Sequence, residues 1–160
     1  STFTAQNYGA GQSGRVAAGL KKAIILTTVF CGLMSVGVCL WARDLMLVFV
    51  DASETSVIAH GVEYLRIEGP FYFGIGILFL WYGFYRGVNM PAMSVVLTIV
   101  SLGLRVVLAY ALSAIPEVGT LGIWWAVPLG WICADTIGAL RYKRSITKLG
   151  YSIPTIEKSV

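Results

Sequence analysis

Charge is scarce in this chain. Lysine and arginine number 12 and aspartate and glutamate 8, so 12% of the 160 residues are charged, against about 25% in an ordinary soluble domain. Too little charge is present to clothe a water-soluble core. Histidine occurs once, as His60 in an acidic stretch, where a solvated loop residue is the simpler reading than a pH sensor. The three cysteines, Cys31, Cys39 and Cys133, lie inside apolar runs without CxxC spacing. Neither a zinc site nor a disulfide framework is indicated, and they read as small packing residues. No HExxH, no phosphate loop and no Ser/His/Asp arrangement is found, so the chain lacks the residues of an enzyme and of a metal centre. A signal peptide is also missing, and the polar opening at Ser1 reads as the edge of a piece from a longer protein.

What is abundant is apolar sequence, at 57% of the chain, with a mean hydropathy of +0.76. It falls in blocks long enough to cross a hydrocarbon layer of about 30 Å, so the lipid bilayer is the expected partner. The net charge of +4 does not form one patch. Basic residues gather at block edges, which excludes a nucleic-acid face and marks membrane topology.

The expected fold is an all-α membrane protein with four transmembrane helices. Residues 1–22 form a polar segment, ending in the anchor charges Arg15, Lys21 and Lys22, at the end of a preceding helix. The first span covers 23–42 and places Trp41 at an interface. Residues 43–68 hold Asp44, Asp51, Glu54, Glu63 and Glu68 against Arg43 and Arg66. This acidic connection belongs outside, with Val57, Gly61, Tyr64 and Leu65 on one face of an amphipathic helix along the interface. The second span covers 69–86, the third 91–115 from a first-turn Pro91, and the fourth 119–140, followed by a basic tail over 141–160. Arginine and lysine near the span ends put both termini in the cytoplasm.

Within the spans a few residues stand out. Gly122, Ala126, Gly130, Ala134 and Gly138 recur every four residues and make a ridge of small side chains for close helix packing. Pro128 interrupts that helix and frees the carbonyl of Trp124. Ser94, Thr98, Ser101 and Arg105 share one face of the third span, which therefore looks into protein or water. An intramembrane arginine marks a functional site, a structural ion pair or a snorkelling end. Asp135, one turn beyond Trp131, either binds a coupling cation or proton or reaches the interface beside Arg141. At the standard rise Arg105 lies about 20 Å from the cytoplasmic edge and Glu68 about 25 Å, while Asp135 lies more than about 10 Å below Arg105. The depths predict an Arg105 to Glu68 pair and an independent Asp135.

The opening Ala5-Gln6-Asn7-Tyr8-Gly9-Ala10-Gly11-Gln12, with Leu65-Arg66-Ile67-Glu68-Gly69-Pro70, Tyr85-Arg86-Gly87 and Gly122-Ile123-Trp124-Trp125, resembles the multidrug and toxic compound extrusion family. The resemblance runs over essentially the whole chain. It implies the last four helices of a twelve-helix, two-lobe transporter in the plasma membrane, the inner membrane of a bacterium. It also implies the N-terminal lobe of the same transporter as partner, a small organic substrate, and exchange against Na+ or H+ with no other cofactor. Glu68, Thr98, Ser101, Arg105, Trp131 and Asp135 are then the pathway candidates. The acidic residue that some branches carry in the tenth helix has no counterpart here, since nothing between Pro70 and Arg86 is acidic. A related lipid or oligosaccharide exporter, and a self-contained four-helix scaffold or subunit, are the alternatives.

Overall fold

A computed structural model describes residues 1–148. The part of the basic tail from 149 to 160 lies outside the described residues. Those described form helices and turns with no strand, and four helical runs are long and apolar enough to cross a membrane. This is an all-α membrane fold.

Helix α1, Thr2–Gly9, carries the QNxGAG element at its end. The Asn7 amide donates to the Phe3 carbonyl at 2.8 Å, and the Gln12 N–H donates to the Asn7 carbonyl at 2.8 Å. Gly11 turns the chain at φ +69°, a conformation open to glycine without a Cβ clash. Helix α2, Ser13–Leu40, then starts ten residues before the span expected from charge alone. Arg15, Lys21 and Lys22 sit in its first turns, because long basic side chains extend a helix as well as they anchor its end.

After the short α3, Ala42–Leu47, Asp51 turns the chain by accepting the N–H and the hydroxyl of Ser53 at 2.9 and 2.7 Å. The backbone bond first, then the hydroxyl, holds its carboxyl below the usual carboxylate range. Helix α4, Thr55–Glu68, a single 3-10 turn, Gly69–Phe71, and helix α5, Tyr72–Gly87, follow as one nearly unbroken run. A helix thus falls within 43–68, where an amphipathic one is expected, and it leads on into α5. Pro70 falls in that 3-10 turn, where its missing N–H interrupts the α-helical bonding for one turn without ending the helical run. The far end of α4 is held by Tyr64, edge-on to Trp124 with ring centroids 6.0 Å apart.

Helices α6, Pro91–Ser113, and α7, Thr120–Lys148, make the tightest hairpin of the structure. Asn89, at φ 59°, closes the turn before α6, where the Met90 N–H reaches the Tyr85 carbonyl at 2.8 Å. Helix α7 runs past the expected end at 140, since Arg141, Lys143 and Arg144 continue it as good helix formers.

The core lies where α5 meets α2, α6 and α7, around Leu20, Leu78, Trp81, Tyr85, Leu97 and Trp131. Tyr85 is fully buried and donates its hydroxyl to the Gly138 carbonyl of α7 at 2.6 Å. Tyr85→Phe should therefore lower stability by about 1 kcal/mol, the net worth of one internal hydrogen bond, in a detergent unfolding titration. Much of α2 and α6 faces outward with apolar side chains, Leu26 and Leu33 being 71% and 70% exposed. Such faces belong against lipid or another protein surface.

Candidate functional site

The small-residue ridge of α7 faces its neighbours. A Cβ added at Gly130 would stand 2.6 Å from the Ser101 carbonyl oxygen of α6, and one at Gly122 would stand 2.6 Å from the Leu112 Cβ. Ala126 and Ala134 between them are wholly buried. At Gly138 the added atom would meet the Trp81 ring of α5 at 2.9 Å. Close backbone approach at these positions brings the polar face of α6 onto α7.

That face divides in two. Ser94 donates to the Tyr82 carbonyl of α5 at 3.4 Å. Thr98 donates to the Ser94 carbonyl at 2.9 Å and lies 3.3 Å from the Tyr82 hydroxyl. These two hydroxyls are committed to helix packing. Ser101 and Arg105 instead meet α7 across Gly130, whose added Cβ would be 3.6 Å from the Arg105 Cβ.

Arg105 aims its guanidinium over the face of Trp131, 5.8 Å from the ring centroid, within reach of a cation–π attraction. The Arg105 Nε atom is buried without a hydrogen-bond partner. The expected direct pair with Glu68 is not formed: no ion pair of 4.0 Å or less joins them. Glu68 is 5% exposed and accepts the Tyr64 hydroxyl at 2.7 Å through Oε2, one helical turn away. Its Oε1 atom has no partner. Arg105 stays within electrostatic range of it. Depth alone predicted the pair, but Tyr64 and Trp131, invisible to a depth argument, each take one partner.

Asp135 stands apart from both. A Cβ added at Gly74 of α5 would lie 3.5 Å from the Trp131 Cβ and 3.8 Å from the Asp135 Oδ2. The missing side chain of Gly74 thus leaves a notch bounded by Trp131 and Asp135. The Asp135 Oδ1 atom is buried without a hydrogen-bond partner. Sequence reasoning named most residues of this region, but it missed Gly74 and gave Tyr64 only a place on an amphipathic face, not its bond to Glu68. The turn spacing from Tyr64 to Glu68 was the available signal for one of them.

Elsewhere, an open groove of about 700 Å³ between α1, α2 and α5 is lined by Phe3, Leu20, Phe79 and Phe84, with Arg15 and Lys22 among its lining residues. It has no part in the polar cluster. Among the described residues no group of three or more His, Cys, Asp or Glu side chains is placed to hold a metal ion.

No curated protein and no solved structure matches the chain. The MatE family model matches residues 1–111 of the 160, from α1 through most of α6. Four apolar spans, the QNxGAG turn between α1 and α2, and a match over more than half its length place the chain in a family of multi-pass membrane transporters: it belongs to the MatE family.

Proposed function

We propose that the chain supplies the last four spans of a two-lobe antiporter. It exports amphipathic organic compounds by alternating access, in exchange for Na+ or H+. The observation that carries this reading is a set of ionisable side chains, Arg105, Glu68 and Asp135, inside the apolar helices of a transporter-family chain. Intramembrane ionisable residues are rare because their desolvation is costly, and they mark ion and substrate pathways. The exposed apolar faces of α2 and α6 suit contact with lipid and with an N-terminal lobe. Arg15, Lys21, Lys22, Arg86 and Arg141 fall at the ends of spans that share one side, and the positive-inside rule makes that side, with both termini, cytoplasmic in the plasma membrane.

The test is uptake of a fluorescent organic cation by vesicles containing the complete transporter. An imposed H+ or Na+ gradient should drive accumulation against the cation's own gradient, and dissipating it should abolish the effect. Movement of a lipid-linked substrate that ignores both gradients would overturn the antiport reading in favour of a lipid or oligosaccharide exporter.

A further inference from the structure

Asp135 is the one carboxylate of α7 among the described residues, 15 residues beyond Thr120 and six before Arg141. At about 1.5 Å per residue that is roughly 22 Å from one end of the span and 9 Å from the first following cation. A carboxylate at such depth is expensive unless paired or neutralised.

The elements around it supply no counter-charge. On α5 the facing residue is Gly74; the ionisable groups of that helix are Tyr72, Tyr82, Tyr85 and Arg86, and Tyr85 is already bonded to the Gly138 carbonyl. On α6 the charged group is Arg105, held over Trp131. On α4, which also carries His60, Glu63 and Arg66, Tyr64 and Glu68 are bonded to each other. On α7 itself Thr136 donates to the Ile132 carbonyl at 2.7 Å, and Arg141 lies beyond. Oδ1 is therefore left buried and unbonded.

Two monovalent cations could neutralise the group. Beside it the notch shows a glycine and an indole and, among the described residues, no second carboxylate that would favour a sodium ion. A proton needs only the one oxygen. It forms an O–H bond on Oδ1, drawn from water on one side, and that bond breaks to return the proton to water on the other.

We propose that Asp135 is a proton-carrying site of the transport cycle, protonated when its notch beside Gly74 and Trp131 is closed and released when helix movement admits water. The proposal rests on the antiport reading above and assigns its coupling ion. It concerns α7, beyond the stretch that the family model matches.

The experiment uses the complete transporter in vesicles loaded with a fluorescent organic cation. Asp135→Asn, which keeps shape and removes the titration, should cut accumulation driven by a pH gradient at least tenfold and abolish the pH dependence of whatever substrate exchange remains. Asp135→Glu should recover much of that accumulation. In difference infrared spectra of the wild type across a pH titration, a protonated-carboxyl band should appear that Asp135→Asn lacks. This readout follows the carboxyl whether or not the vesicles transport. Unchanged gradient-driven accumulation in Asp135→Asn, or the absence of that band, would overturn the proposal. A wild type that moves no substrate under any gradient would instead overturn the antiport reading while the infrared band still decides the site.

Discussion

Gly130→Leu should prevent the protein from reaching a stable fold, with little monodisperse material recovered in detergent and an unfolding free energy lowered by about 3 kcal/mol or more. Overpacking in a well-filled interior typically costs about 1–3 kcal/mol. Here the obstacle is backbone: the added Cβ would already stand 2.6 Å from the Ser101 carbonyl oxygen, before the rest of leucine is placed. A side chain can rotate away from such a clash, but a carbonyl inside a helix cannot. Separating α6 from α7 would in turn lift Arg105 off Trp131 and expose the backbone contact that small residues permit. Gly103→Leu is the matched control. It lies on the facing helix α6 with nothing within 4 Å of its added Cβ, so it should fold normally. Equal losses in both variants would mean that glycine acts through helix propensity or expression, not through the α6 to α7 contact.

The spans could be read from the sequence because bilayer thickness imposes a length on apolar runs, and charge-free blocks of that length are rare by chance. Their ends were less legible. Arg15, Lys21 and Lys22 bound the charge-free block, yet the backbone hydrogen bonds that define α2 continue to Ser13. The same distinction explains α4. Its acidic residues suggested a separate connection, whereas only a single 3-10 turn at Pro70 stands between α4 and α5. At the site, spacing along one helix places residues on a common face, as with Ser101 and Arg105. Azimuth between helices is a different matter. Nothing in a single sequence tells that Gly74 faces Asp135, or that the indole of Trp131 lies under Arg105.

Arg105→Ala should be the most damaging polar substitution in the spans, lowering stability by about 3 kcal/mol. One part is the cation–π contact with Trp131, worth about 1–2 kcal/mol where water is excluded. The other part acts on Glu68, which is 5% exposed and keeps one unbonded oxygen. Arg105 is its nearby positive charge, although no direct bond links the two. Removing one member of a buried charge pair typically costs about 3–5 kcal/mol, because the other is left uncompensated. Here no direct bond is lost, so this part is expected at about 1–2 kcal/mol, which together with the cation–π contact gives the figure of about 3 kcal/mol. Glu68→Ala should likewise destabilise, since it removes the acceptor of the Tyr64 hydroxyl as well as the charge. Glu68→Gln, which keeps an acceptor for Tyr64, should be milder. In a double-mutant cycle measured by detergent unfolding, Arg105→Ala with Glu68→Gln should cost about 1–2 kcal/mol less than the sum of the two single changes. Strict additivity would mean that Trp131 alone holds Arg105 in place and that Glu68 answers only to Tyr64.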